Sequence, residues 1–258
     1  MARRVAAIPI ASSRLPRNLT GDVEPIAETP LHVDAIFDLF QTLQDFLAEK
    51  PSIFVAANMF WYVMDRVPGP RSDPVVLAIK TDVMVVKGAL RIARKSFISW
   101  LENGAVPSVI VEIVSPKKRR IDLIQKPKLY PALGVNEYFC FDPTARSPRP
   151  KLQGWRLNAD GVYDPLALDD QGRLFCKELG LYLKVEGKTL RLIDAATGKI
   201  VMTREEKADL ADSETQRANE EKQRAEAEKQ RADALELEIA HLKAQMHNNG
   251  GAKRNNGS

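Results

Sequence analysis

Cysteine is nearly absent: Cys140 and Cys176 are the only two in 258 residues. Each sits inside an apolar, strand-like segment, where a reduced thiol acts as a small hydrophobe; neither a disulfide nor a zinc site, which wants four ligands, is expected. No apolar run approaches the roughly 20 residues of a membrane span. The opening "MARRVAAIPIASSRLPRN" carries a short apolar patch without an export site, so a cytoplasmic location and no membrane partner are expected. Residues 1–29 lack any sustained period and read as an irregular arm. There is no zinc-finger spacing and no basic patch interleaved with aromatics, so nothing in the chain separates DNA from RNA or names a recognition sequence.

What is present is a split of charge. The net +4 divides into 28 Lys+Arg against 22 Asp+Glu over residues 1–203, 8 against 12 over 204–247, and two further basic residues in the last eleven. The globular part is therefore the basic part, which permits a polyanionic partner without demanding one.

From Thr29, "TPLHVDAIFDLFQTLQDFL" has a capping Thr, Pro at the first helical position and Ile36, Leu39, Phe40, Leu43 and Leu47 at helical spacing. "SIFVAANMFWYV" and "PVVLAIKTDVMVVKG" are rich in β-branched and aromatic residues and flank the turn-forming "DRVPGPRSDP". "VPSVIVEIVS" reads as a third strand, "IDLIQKPKLYPAL" as a helical piece ended by Gly134, and "NEYFCFDP" as a strand stopped by Asp142-Pro143. This order predicts a mixed α/β (α+β) sheet with helices packed on it over residues 30–203; short strands from about 148 to 194 form a β extension of the same domain.

Beyond Thr203 the text turns helix-forming, with "QRA" at 216, 223 and 230. In that seven-residue repeat Ala218, Ala225, Ala232, Ile239 and Met246 share one position. Leu235 and Leu242 lie three residues on, where Glu221 and Glu228 stand earlier. Residues 204–247 are thus either a coiled coil that makes a homo-oligomer or a solvated helix held by i,i+4 ion pairs. Residues 248–258, "NNGGAKRNNGS", read as a disordered tail.

The chemistry concentrates in "VPSVIVEIVSPKKRRIDL". On a strand Val109, Val111 and Ile113 point one way, and Ile110, Glu112 and Val114 the other. A carboxylate between Ile110 and Val114 is costly to bury unless it is paired or holds a metal. Asp82 repeats the anomaly in "LAIKTDVMVV". Adjacent strands could bring Asp82 and Glu112 to one site, either as oxygen ligands of Mg²⁺ (or Mn²⁺) or as partners of Lys126 or Arg120 in a buried ion pair. A hard cation there would polarise a phosphoryl oxygen and lower the pKa of an attacking water, and a lysine nearby would orient that water and offset developing charge.

An Asp on one strand, a Glu on the next and a Lys close behind resemble the PD-(D/E)XK restriction-endonuclease-like superfamily. More closely, "ETPLHVDAI", "TDVMVV", "VPSVIVEIVSP", "RRIDLIQKPKLYPALGVNEYFCFDP" and "LRLIDAATGKIVMTREE" resemble the Uma-type family of bacterial restriction endonucleases, whose members also end in an Ala/Glu/Arg-rich helix. The resemblance implies a metal-dependent endonuclease acting on DNA. Asp82, Glu112 and the backbone carbonyl of Ile113 would bind the metal, Lys126 would be the catalytic lysine on the following helix, and Asp122, Tyr130 and His32 would lie near the site.

Val114 stands where the superfamily has its lysine, Thr81 where Pro usually precedes the first Asp, and Ser108 where an Asp is common. In "KPKLYP", Pro127 and Pro131 disfavour a regular helix, so Lys128 and Lys80 are alternatives to Lys126. Lys117, Lys118, Arg119 and Arg120 are either a solvated loop or contacts to the nucleic-acid backbone. The rival to a nuclease is a non-catalytic scaffold that binds nucleic acid or protein and assembles through its C-terminal helix.

Overall fold

The structure, a computed structural model, describes residues 29–65, 75–145 and 150–252. The predicted arm up to residue 28, the turn-forming link at 66–74 and the end of the predicted tail lie outside the described residues. Contacts divide the chain into a unit ending at Thr203 and a second beginning at Arg204.

The first unit opens with α1 (Pro30–Phe46). Thr29 caps it: its backbone carbonyl accepts from His32 and Val33, and its hydroxyl also accepts from the His32 N–H. Ile36, Leu39, Leu43 and, just past its end, Leu47 are buried as their spacing predicts, each stabilising the fold by about 2 kcal/mol. Arg91 closes the far end by donating to the carbonyls of Gln44, Leu47 and Ala48.

A seven-stranded mixed sheet follows, built from β1 (Ile53–Asp65), β2 (Val75–Lys87), β3 (Phe97–Ile98), β4 (Val109–Ile113), β5 (Glu137–Phe141), β6 (Leu152–Leu157) and β7 (Tyr163–Pro165) in the spatial order β3-β1-β2-β4-β5-β6-β7. β1, β2 and β4 pair antiparallel, β4 and β5 parallel, and β5, β6 and β7 antiparallel. The parallel pair needs a crossover, and residues 114–136 supply it.

Two cores lie on the two faces. On one, Val109, Val111, Ile113, Phe139 and Phe141 pack with α1 and with a three-stranded sheet of β8 (Arg173–Cys176), β9 (Leu181–Glu186) and β10 (Thr189–Asp194). On the other, Ile110, Val114, Tyr138 and Cys140 pack with Tyr130, Leu133 and Val135 of the crossover. Gly154 permits the sheets to meet: a Cβ there would lie 2.8 Å from the Phe139 ring and 2.9 Å from Leu174 Cδ1. The predicted extension therefore does two things, lengthening the main sheet with β6 and β7 and covering one face with β8 to β10.

Strands β1 and β2 change faces midway. Ile53 and Val55 join one core but Trp61 and Val63 the other; likewise Val83 and Val85 against Ile79. The register keeps the same offset at Ala57↔Val83 and Met59↔Thr81, with no pair between them, so neither strand carries an inserted residue and both turn over together, at Asn58 and Asp82. Asn58 takes φ 48°, a left-handed conformation that asparagine tolerates better than most residues.

The second unit is α3 (Arg204–Ala252), which runs past the predicted tail boundary at residue 248. Its described side chains are almost all exposed, Leu235, Ile239 and Leu242 among them. Among the described residues no helix is long and apolar enough to cross a membrane.

Candidate active site

The site forms where β2 and β4 part. Their ladder runs Val85↔Val109, Met84↔Ile110, Val83↔Val111 and stops. The next step would set Asp82 opposite Glu112. Instead the Ile113 N–H donates to Asp82 Oδ2 at 2.9 Å, so the side chain takes the place of a ladder carbonyl. Because a strand residue's N–H and C=O leave on the same edge, the Ile113 carbonyl also faces the gap. β4 meanwhile stays paired to β5 through Ile113↔Phe141. The turnover at Asn58 and Asp82 and the fixed β4–β5 pair together open the sheet here.

The crossover supplies the rest. Residues Ile121–Gln125 form a π-helical turn, which α2 (Lys126–Leu129) continues. Pro127 does not keep Lys126 out of the helical region: Lys126 sits at φ −60°, ψ −41°. From that turn the Lys126 ammonium reaches Glu112 Oε1 at 2.8 Å and Asp122 Oδ1 at 2.9 Å. Tyr130 Oη donates to the same Glu112 Oε1 at 3.2 Å. His32, in the first turn of α1, places Nε2 3.8 Å from Asp82 Oδ2.

All of these groups are buried, with Asp82 2% exposed, Glu112 1% and Asp122 0%. Glu112 and Asp122 thus share the Lys126 ammonium in a buried site that also holds Asp82. Burial pushes the Glu112 carboxyl well above the usual range; Lys126 pulls it back, and the charges of Asp82 and Asp122 raise it further. Burial likewise raises Asp122 against the pull of Lys126. Burial works to lower the Lys126 ammonium, but Glu112 and Asp122 outweigh it and hold it above its ordinary range.

The structure therefore brings together Asp82, Glu112, Ile113, Asp122, Lys126, Tyr130 and His32. It does not bring Lys128 to them. That side chain is exposed, beside a separate cavity lined also by Pro127, Pro131, Trp155 and Tyr163. Within the basic run, Lys117 and Arg120 are exposed and Lys118 is half-buried. Arg119 pairs with the buried Asp142.

Two residues of the site carried no signal in the sequence. Tyr138 Oη donates to the Asp122 backbone carbonyl at 2.8 Å, and the Cys140 thiol lies 3.1 Å from Tyr138 Oη and 3.4 Å from the same carbonyl. Within a strand of alternating apolar residues, both read as ordinary core.

Buried carboxylate oxygens beside a gap in the sheet are the kind of donor a hard divalent cation takes. Among the described residues no group of three or more His, Cys, Asp and Glu side chains is arranged to hold a metal. The donor set that does exist, two carboxylates and a strand carbonyl beside a gap, fits the Mg²⁺ habit of taking one or two carboxylates and keeping several waters.

No curated protein matches the chain. A solved structure described as "a putative nuclease belonging to DUF820" from Anabaena variabilis is similar to it at 9% identity, covering 59% of this chain and 75% of that one with a TM-score of 0.41. The model of the Uma2 family, described as "Putative restriction endonuclease", matches residues 11–192, most of the chain, and the protein belongs to that family.

Proposed function

We propose that the protein is a Mg²⁺- or Mn²⁺-dependent endonuclease that hydrolyses phosphodiester bonds of DNA. The observation that carries this reading is the gathering of three buried carboxylates at the parted strands, two of which, Glu112 and Asp122, share the Lys126 ammonium. A purely structural cluster would be expected to saturate its carboxylates with donors, because a buried acceptor left without one is costly, whereas Glu112 takes both of its donors on Oε1.

Asp82 and Glu112 would hold the ion, with the Ile113 carbonyl on the same gap. When bound, such an ion polarises a phosphoryl oxygen and lowers the pKa of a water molecule. The chain's own groups do the remaining work. Tyr130 fixes the rotamer of Glu112 through Oε1. Lys126, kept cationic by Glu112 and Asp122, orients the attacking water and offsets charge gathering on the phosphorane-like transition state. As an ammonium it has no lone pair with which to take a proton, so its role is orientation and charge. Lys117 and Arg120 are exposed on the same crossover and suit backbone phosphates.

The test is Mg²⁺ titration calorimetry on the full chain, wild type beside Asp82→Ala, with plasmid nicking in the same samples. Wild type should bind the ion and nick DNA, and the variant should do neither while keeping its circular dichroism spectrum. Full cleavage by Asp82→Ala would overturn the assignment. DNA binding without cleavage or metal uptake would establish the scaffold instead.

A further inference from the structure

The π-helical turn contains a backbone problem that the sequence sets and a distant residue solves. At the end of the turn Lys126 donates its N–H to the Ile121 carbonyl, five residues back. The next bond in that series would run from residue 127 to the carbonyl of Asp122. Residue 127 is proline and has no N–H. The Lys126 N–H, the other main-chain donor within reach, is already committed to Ile121. The Asp122 carbonyl thus loses both its π-type donor and its α-type donor, and burying a carbonyl without a donor is costly.

Tyr138, from β5, supplies the donor at 2.8 Å. Its ring is held independently, edge-on to Tyr130 at 4.9 Å and stacked on Trp155 at 5.5 Å. The Cys140 thiol lies 3.1 Å from that hydroxyl and reaches the same carbonyl only at 3.4 Å, so the hydroxyl is the nearer donor.

We infer that Tyr138 is a positioning residue, whose hydroxyl stands in for the missing Pro127 N–H and so fixes the turn that aims Asp122 and Lys126 at Glu112. The assignment rests on the nuclease reading for its consequence in catalysis, but not for its physical content. The prolines around Lys126 are then part of the device: Pro127 breaks the regular ladder, and the freed carbonyl anchors the turn to the sheet.

The test is a double-mutant cycle of Tyr138→Phe and Pro127→Ala with two readouts. Tyr138→Phe keeps the ring and its stacking but removes the donor. Amide hydrogen exchange at Lys126, followed by NMR, should quicken about tenfold, the equivalent of one net hydrogen bond. Pro127→Ala restores a main-chain N–H at the right place in the series. In its presence Tyr138→Phe should change the Lys126 exchange rate by less than about twofold. Plasmid cleavage should follow the same cycle, with kcat falling in Tyr138→Phe, KM for DNA unchanged, and kcat recovered in the double variant.

Unaltered exchange in Tyr138→Phe, or no rescue by Pro127→Ala, would overturn the inference. If exchange follows the cycle while wild type cleaves nothing, the anchor is established and the nuclease reading is the one that fails.

Discussion

Glu112 on β4 and Glu137 on the neighbouring β5 are both 1% exposed, and both interrupt apolar strands. Their surroundings differ completely. Glu137 receives four donors, two on each oxygen: Arg156 Nε at 2.7 Å and the Lys177 N–H at 3.0 Å on Oε1, and the Glu178 N–H at 2.8 Å and Cys176 Sγ at 3.1 Å on Oε2. It is a tie between the main sheet and the chain following β8. Glu112 has two donors, Lys126 and Tyr130, both on Oε1, and shares Lys126 with Asp122. A carboxylate buried to hold the fold is saturated with donors. One buried to bind something else keeps acceptor capacity in reserve and is paid for by the rest of the fold.

The strongest way to break this comparison is to neutralise each carboxylate in turn. Glu112→Gln should cut the cleavage rate at least about 100-fold, since even indirect partners of a metal site are worth 10–100-fold. It should leave Tm unchanged or higher at neutral pH, because burial and two like charges already disfavour the charged carboxyl. Glu137→Gln should do the opposite. It turns an amide NH₂ toward donors and lowers stability by about 2–3 kcal/mol, with activity per folded molecule retained. Equal Tm losses in the two variants, by thermal unfolding, would remove the distinction.

The pH dependence sharpens it. The folded-state pKa of Glu112 is raised above its ordinary 4.5, so the folded protein holds this proton more tightly than the unfolded chain. Between that ordinary value and the raised one, the unfolded state binds fewer protons, and stability therefore falls as pH rises. Glu112→Gln removes that slope. The Tm difference, variant minus wild type, should be largest above the raised pKa and should shrink toward zero as pH falls to about 4.5. A difference that is flat across pH would mean that the carboxyl is not perturbed.

Glu112 and Asp82 were legible because period-2 alternation makes a charge in a β-branched strand conspicuous, and the α1 cap and core face were legible from helical spacing. Glu137 shows the limit of that signal. It stands in "NEYFCFDP" just as anomalously as Glu112 in "VIVEIV", and what separates them lies far off in sequence, at Arg156 and residues 176–178. The turnover of β1 and β2 was equally hidden, because a strand that changes faces without an insertion keeps its alternating text. The prolines show in the sequence that the helix is irregular, but not how: Pro127 forbids one hydrogen bond, and the compensating donor is a tyrosine on another element.

The smallest effect applies the same distinction inside the basic run. Arg119 pairs with Asp142, which is 4% exposed and also accepts from the Thr144 N–H and hydroxyl. Lys117 and Arg120 are exposed. If the run meets DNA, Lys117→Ala and Arg120→Ala should each weaken binding only a few-fold at moderate salt and reduce the slope of log K against log salt by about 0.9, with Tm unaffected. Arg119→Ala should leave that slope nearly intact and lower Tm, because it strands the Asp142 carboxylate in the protein. Fluorescence anisotropy on a DNA duplex across a salt series, beside thermal unfolding of the same three variants, separates the two roles. If Arg119→Ala changes the slope as much as its neighbours do, the three residues act as one phosphate clamp, and burial of the partner has no say in which charges are functional.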